Sequence, residues 1–285
     1  MQSKIFSANK TLNLRGRLMD LSLPRVMGIL NMTPDSFYDG NKYTDETATL
    51  KHVERMMTEG ADFIDVGGCS TRPGANEISV DEELKRVLPA IEMIRKKFPE
   101  ANLSIDTFRA AVAKRAVEAG AMMINDISGG ELDAEMFETV ASLKVPYVLM
   151  HLRGTPQTMT TLTEYDNLIK EMIDYFHQKI FQLHQLGVKD IIVDPGFGFA
   201  KTVEQNFELL NWLDHFQILG KPLLVGLSRK SMIWRTLKTN SEGALNGTTA
   251  LHVVALLKGA SVLRTHDVRE AKEVIMLLQH LREKK

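Results

Sequence analysis

The sequence predicts an α/β fold, a (β/α)₈ TIM barrel, on three observations. Apolar runs rich in Val, Ile, Leu and Met alternate with segments of helical period, the mark of βα units and a parallel sheet. The runs are continuously apolar rather than alternating, so both faces of each strand are buried. Each run then ends in Asn, Asp, Arg or His, residue types that do not pack in a core and that carry chemistry at the C-terminal mouth of such a barrel.

Strands are expected at 26–31 (VMGILN), 63–67 (FIDVG), 103–107 (LSIDT), 122–127 (MMINDI), 146–151 (PYVLMH), 190–194 (DIIVD), 222–227 (PLLVGL) and 260–265 (ASVLRT). Between them, Ser79-x-x-Glu82 reads as a capping box opening a helix with Leu84, Val87, Leu88, Ile91 and Ile94 inward. Asp267-x-x-Glu270 opens the last helix in the same way, with Val274, Leu277, Leu278 and Leu281 inward. Glu59-Gly60, Ala119-Gly120, Leu186-Gly187 and Lys258-Gly259 close helices just before strands. Residues 1–25 lack this period; short alternating pieces around Lys10-Thr11 and Arg15-Gly16 suggest a small hairpin plugging the barrel bottom. The barrel domain then runs over 26–285, about the length one such domain needs.

A Rossmann sheet would need a glycine-rich phosphate loop after the first strand, and Asn31-Met-Thr-Pro-Asp-Ser has no glycine. Gly196-Phe-Gly198 lacks the third glycine of a dinucleotide loop, and no glycine precedes Lys201 as a P-loop requires. Of the 285 residues, 35 are Lys or Arg and 36 Asp or Glu, which gives no global pull toward nucleic acid or membrane; an anion site must be local. The single cysteine, Cys69, excludes an internal disulfide and suits a reducing, cytoplasmic setting. No apolar run approaches the ~18 residues of a membrane span, and the polar N-terminus lacks a signal-peptide core.

The strand ends should converge. They bring Asn31 and Asp35, then Ser70-Thr71-Arg72, Asp106, Asn125 with Asp126, His151, Asp194, Ser228-Arg229-Lys230, and Arg264 with His266. Helix capping explains Asp133 and Asp267 better than catalysis does. Asp106, Asn125 and Asp194 supply fixed acceptors and one amide, a set suited to a flat heterocycle with an amidine-like N–H edge. The competing reading is a buried polar network that only stiffens the barrel. Lys230, Arg264 and His266 occupy the corner where such barrels bind phosphate, with Arg72 as a further charge; the bland alternative pairs Arg264 and His266 with Asp267. Asn31 is a neutral oxygen ligand of the kind that touches a Mg²⁺ carried mainly by substrate phosphates. No His/Cys/Asp cluster has zinc spacing. Cys69 reads as a packed loop thiol, and Met56, Met57, Met122, Met123 and Met150 as core filler.

Seven segments together resemble the dihydropteroate synthase family of pterin-binding barrels: GILNMTPDSF at 28–37, IDVGGCSTRPGA at 64–75, SIDT at 104–107, INDISGG at 124–130, MHLRGTP at 150–156, DPGFGFAKT at 194–202, and GLSRK at 226–230 with RTHDV at 264–268. The resemblance spans the chain from about residue 25 onward. It implies a homodimer that joins 4-aminobenzoate to (7,8-dihydropterin-6-yl)methyl diphosphate, releasing diphosphate, and that sulfonamides inhibit by competition. By motif, Asp106, Asn125 and Asp194 hold the pterin with Lys230 alongside, and Arg264 and His266 bind diphosphate. Asn31 contacts Mg²⁺ and diphosphate, Thr71 and Arg72 lie in a mobile loop, and Ser228 faces the carboxylate of 4-aminobenzoate. One departure is visible: many members carry Glu where this chain has Cys69. Two rivals share the barrel. A corrinoid-type pterin methyltransferase needs neither the Ser-Arg-Lys lysine nor the Arg-x-His anion site, and a non-catalytic pterin-binding protein should show damage at the leaving-group end.

Overall fold

A computed structural model describes residues 11–32, 42–70 and 77–282. The apolar runs become β3 (Arg25–Asn31), β4 (Phe63–Gly67), β5 (Leu103–Asp106), β6 (Met123–Asp126), β7 (Tyr147–Met150), β8 (Ile191–Asp194), β9 (Leu223–Val225) and β10 (Ala260–Thr265). They pair in parallel, in chain order, and β10 closes the barrel against β3. Strand ends agree with the sequence reading to within one residue, except β9, whose ladder stops at Val225, two residues before the expected end.

The strand period of two sorts each run into a wall of two faces. Val26, Leu30, Ile64, Val66, Ile105 and Ile124 point outward into one large core shared with the helices. Met27, Phe63, Met123, Val148, Ile192, Leu224 and Val262 point inward at the bottom and form a second cluster with Leu12, Leu14 and Leu21. Leu12 and Leu14 come from the expected hairpin, β1 (Thr11–Leu14) and β2 (Arg17–Asp20), and Leu21 directly follows it, so the hairpin is the bottom plug. Arg15 and Gly16 turn it with φ of 53° and 96°, the left-handed pair a two-residue hairpin turn requires.

The helices are α1 (Lys42–Thr58), α2 (Val80–Lys97), α3 (Ala110–Ala119), α4 (Met136–Leu143), α5 (Leu168–Gln185), α6 (Val203–Asn211), α7 (Ser231–Thr236), α8 (Leu245–Leu257) and α9 (Val268–Arg282). Ser79 caps α2, its side chain accepting from the Glu82 amide. On that helix Val87, Ile91 and Ile94 are buried as expected, but Glu83 and Ala90 join them while Leu84 and Leu88 are only half-buried. The reading of α9 needs a larger correction. Val274 and Leu278 are buried with Val268, Ala271 and Ile275, whereas Leu277 and Leu281 are 69% and 72% exposed. The inward stripe starts at Val268, so it lies a fraction of a turn away from the expected one. Among the described residues no helix is long and apolar enough to cross a membrane.

Candidate active site

Above the apolar plug the same inward positions turn polar. Asp65 and Gly67 of β4, Asp106 of β5, Asn125 of β6, Asp194 of β8 and Arg264 of β10 all follow their strands' inward period. Asn31 ends β3 beside them: a Cβ placed on Gly67 would lie 3.5 Å from Asp106 Cβ and 3.8 Å from Asn31 Oδ1. The absence of a side chain at Gly67 therefore leaves open space between the amide and the carboxylate.

One hydrogen-bonded network ties this layer together. Arg264 donates from Nε to Asp65 Oδ2 at 2.7 Å and from Nη2 to Asp106 Oδ2 at 2.5 Å. Asn125 Nδ2 donates to the same Asp65 oxygen at 2.9 Å. A carboxylate only accepts, so the amide nitrogen of Asn125 is committed to Asp65 and its oxygen remains an acceptor for something else. Burial pushes Asp106 up to about 7; Arg264 opposes that shift, and the nearby carboxylates Asp65, Glu83 and Asp126 reinforce it. For Arg264, burial works against the charge, but Asp65 and Asp106 outweigh it and raise its pKa.

Across the mouth, Asp194 Oδ1 accepts from the Gly196 amide at 2.8 Å. Burial raises its pKa, while Lys230, the Gly196 amide, Arg264 and Lys201 pull the other way. Lys230 donates to the Phe197 carbonyl and lies 4.5 Å above the Phe199 ring. Its own pKa is lowered to about 8 by burial, with Asp194 opposing. A Cβ on Gly226 would stand 4.0 Å from both Lys230 Nζ and Arg264 Cβ, so the ammonium and the base of the Arg264 side chain border that glycine. Ser228 Oγ lies 3.0 Å from His266 Nδ1 and accepts from the His266 amide at 3.2 Å.

Several expectations are thus placed. Asp106, Asn125 and Asp194 converge with Lys230 and Arg264, and Ser228 with His266. The bland pairing of Arg264 with Asp267 does not describe this site, since Arg264 is held by Asp65 and Asp106. Asp267 is held by Arg229, at 2.9 Å to Nε and 2.5 Å to Nη2, so the carboxylate expected to box the start of α9 serves an ion pair. Asp126 does not join Asn125. Adjacent strand residues face opposite ways, and the Asp126 carboxylate instead takes the Ser128 amide and hydroxyl, the Gly130 amide and the Tyr147 hydroxyl behind the wall. His151 is buried against the Tyr175 ring, 3.3 Å from Lys201 Nζ. Asp133 behaves as a cap, accepting from the Ala110 and Glu135 amides. Asp35, Thr71 and Arg72 lie outside the described residues.

Cys69 is half-buried, and burial, reinforced by Glu83, raises its thiol pKa, so it is no activated nucleophile. Among the described residues no three His, Cys, Asp or Glu side chains are grouped to hold a metal ion. Asn31, a neutral oxygen at the rim, fits a Mg²⁺ borne by a substrate rather than one caged by protein.

Sequence reasoning missed Asp65 and Lys201. Asp65 is fully buried within FIDVG, a run read simply as apolar; its signal was a carboxylate two residues from Phe63 and two from Gly67, on the inward period. Lys201 carries no signal beyond the failed P-loop pattern, because His151, its partner at 3.3 Å, lies fifty residues away in sequence.

The chain matches the family model described as pterin binding enzyme over residues 27–266. It is 42% identical to the dihydropteroate synthase of Escherichia coli (strain K12) over 267 residues, covering 93% of this chain and 94% of that protein. Among solved structures, the Yersinia pestis dihydropteroate synthase in a sulfonamide drug complex superposes with a TM-score of 0.89 at 40% identity, covering 96% of this chain and 99% of the other. The Xanthomonas albilineans dihydropteroate synthase with 4-aminobenzoic acid gives a TM-score of 0.89 at 40% identity, covering 96% and 98%.

Proposed function

The chain belongs to the dihydropteroate synthase family of pterin-binding enzymes, and from that premise we propose that its barrel mouth condenses (7,8-dihydropterin-6-yl)methyl diphosphate with 4-aminobenzoate to give 7,8-dihydropteroate and diphosphate. The observation that carries this reading is the convergence of three acceptors, Asp106, the Asn125 oxygen and Asp194, with Lys230 and Arg264 between them.

Asp106, Asn125 and Asp194 take the N–H edge of the pterin, and Lys230 lies alongside. His266 and Arg264 receive the diphosphate, joined by Arg72, while Ser228 and Thr71 address the 4-aminobenzoate side. The methylene carbon–oxygen bond breaks first, its electron pair leaving with diphosphate. The amine nitrogen then forms the carbon–nitrogen bond and sheds a proton. Buried carboxylates favour the cation formed in between, and fixed cations favour the leaving group. This route needs no protein nucleophile, in keeping with the protonated Cys69 thiol. Asn31 would be the protein's contact to Mg²⁺, which when bound supplies charge neutralisation to the diphosphate.

A pterin methyltransferase would need neither Lys230 nor the Arg264-x-His266 pair, and both stand at the mouth here. Sulfonamides, which mimic 4-aminobenzoate in shape and charge, are expected to compete with it. Leu257, Leu277 and Leu281 are exposed on α8 and α9, which pack together, and such an apolar face supports a homodimer built there. The single cysteine and small-molecule chemistry agree with a cytoplasmic location. Mixing the two substrates with protein and Mg²⁺ should release diphosphate and form dihydropteroate together. Absence of both products would refute the reading.

A further inference from the structure

Two lysines grip one loop from opposite sides. The loop, residues 195–200, joins β8 to α6. On the mouth side Lys230 donates to the Phe197 carbonyl and covers the Phe199 ring. On the inner side Lys201 Nζ donates to the carbonyls of Gly196 at 3.1 Å and Phe199 at 3.0 Å, with His151 Nδ1 at 3.3 Å. Three acceptors thus meet the three hydrogens of one ammonium, and Lys201 as a residue is 8% exposed. A buried lysine without such partners would be costly, so this pocket is built for it.

The loop itself is tightly specified. Gly196 has φ of +71°, and a Cβ there would meet the His151 carbonyl oxygen at 2.3 Å, so the chain rests directly on the end of β7. Ala200 has φ of +48°, an unfavourable left-handed conformation for a residue with a Cβ. The Gly196 amide orients Asp194, and the Gly196 carbonyl belongs to Lys201. Asp194 and Lys230 therefore both depend on a loop that Lys201 holds.

We propose that Lys201 is a positioning residue for the condensation: braced by His151, its ammonium fixes the 195–200 loop so that Asp194 and Lys230 meet the pterin in register. This rests on the pterin reading above. The charges agree with it. Asp194 faces Lys230, Arg264 and Lys201, which all oppose the rise that burial imposes on its pKa. Lys201 faces Asp194, Lys230 and Arg153, and burial lowers its own pKa to about 7. Burial holds His151 well below its usual pKa, leaving a neutral ring whose Nδ1 can accept from the lysine. Loss of the lysine makes Asp194 harder to ionise.

The test is Lys201→Met, which keeps the length and removes the donors. The Michaelis constant for the pterin diphosphate should rise at least ~30-fold, as for loss of a charged hydrogen-bonded group, while that for 4-aminobenzoate stays within about 3-fold. The acid limb of the pH profile should move to higher pH. Hydrogen exchange at the Gly196, Gly198 and Phe199 amides should quicken at least ~10-fold with the β-strands unchanged. If that variant does not fold, His151→Leu should give the same pattern more weakly, and His151→Gln, which restores an acceptor, should reverse it. Unchanged pterin kinetics and exchange would overturn the proposal, as would equal losses for both substrates with an unmoved acid limb. Wild-type protein that releases no diphosphate would overturn the substrate reading instead. Exchange needs no substrate, and it decides whether Lys201 holds the loop in either case.

Discussion

Arg264 Nε lies 2.7 Å from Asp65 Oδ2, a contact that joins β10 to β4 across the intervening β3. The same oxygen accepts from Asn125 at 2.9 Å, so a single atom orients both a guanidinium and an amide. The other oxygen of Asp65 is buried with no hydrogen-bond partner among the described residues. A fully buried carboxylate in that state is tolerated only because Arg264 stands beside it. In the proposed reaction the amide belongs to the pterin frame and the guanidinium to the leaving group, and Asp65 fixes their relative position.

Asp65→Asn keeps the size and removes the charge. Its oxygen can still accept from Arg264 and Asn125, but the neutral amide no longer balances the guanidinium, and its NH₂ falls where the described residues offer no partner. The loss of a charge-assisted bond, with a buried group left unpaired, costs about 2–4 kcal/mol, or roughly 30- to 1000-fold in affinity. Binding of a phosphate-free pterin and of inorganic diphosphate should both weaken, since both depend on this atom. Calorimetry that finds only one of the two weakened would show that Asp65 does not couple them.

The pH dependence follows from Asp106, whose pKa is raised to about 7, mainly by burial. A raised carboxylate pKa means that the folded protein holds a proton which the unfolded chain gives up near pH 4. The contribution of this group to stability is present below that range and is lost as pH rises through about 7. Ligand binding runs the opposite way, because N–H donors on the pterin favour the ionised form. Pterin affinity should therefore fall as pH drops below about 7, by up to tenfold per unit, while the unliganded protein gains stability from Asp106. Titrations at pH 5.5 and 8 that give equal affinities would remove Asp106 from pterin recognition.

The barrel and its polar rim were legible because burial on both faces writes a continuous apolar run, and each run stops where the chain meets water. Asp65 was hidden by the same rule. It sits inside the run, and only the three-dimensional closeness of Arg264, distant in sequence, makes a carboxylate there affordable. Asp126 was misplaced for the converse reason: beside Asn125 in sequence, it is across the wall in space. On α9 the leucines at 277 and 281 read as core because apolar character alone does not distinguish a face packed on the barrel from one left for another surface.

Those leucines carry their own prediction. α8 is apolar nearly all round, and Leu257 at its end is 64% exposed. If the two helices form a dimer face, Leu277→Glu combined with Leu281→Glu should turn a sedimenting dimer into a monomer. Because both side chains point away from the core, the melting temperature of the separated chain should change little. A wild-type chain that sediments as a monomer at micromolar concentration would dismiss the interface.

Arg264 and His266 stand two residues apart, yet their removal should look different. Arg264 neutralises Asp65 and Asp106 within the wall, so Arg264→Met leaves two buried carboxylates facing each other without their cation. Breaking a buried pair in this way costs about 3–5 kcal/mol, and it should lower the melting temperature as well as binding of both pterin and diphosphate. His266 Nδ1 lies 3.0 Å from Ser228 Oγ, which orients the ring. His266→Ala should leave the melting temperature and the affinity for a phosphate-free pterin near wild type, while diphosphate affinity with Mg²⁺ falls about tenfold or more. The comparison is made by calorimetry on both variants with each ligand in turn. Should His266→Ala weaken the phosphate-free pterin as much as diphosphate, His266 supports the pocket rather than the leaving group, and the division of labour between the two residues is wrong.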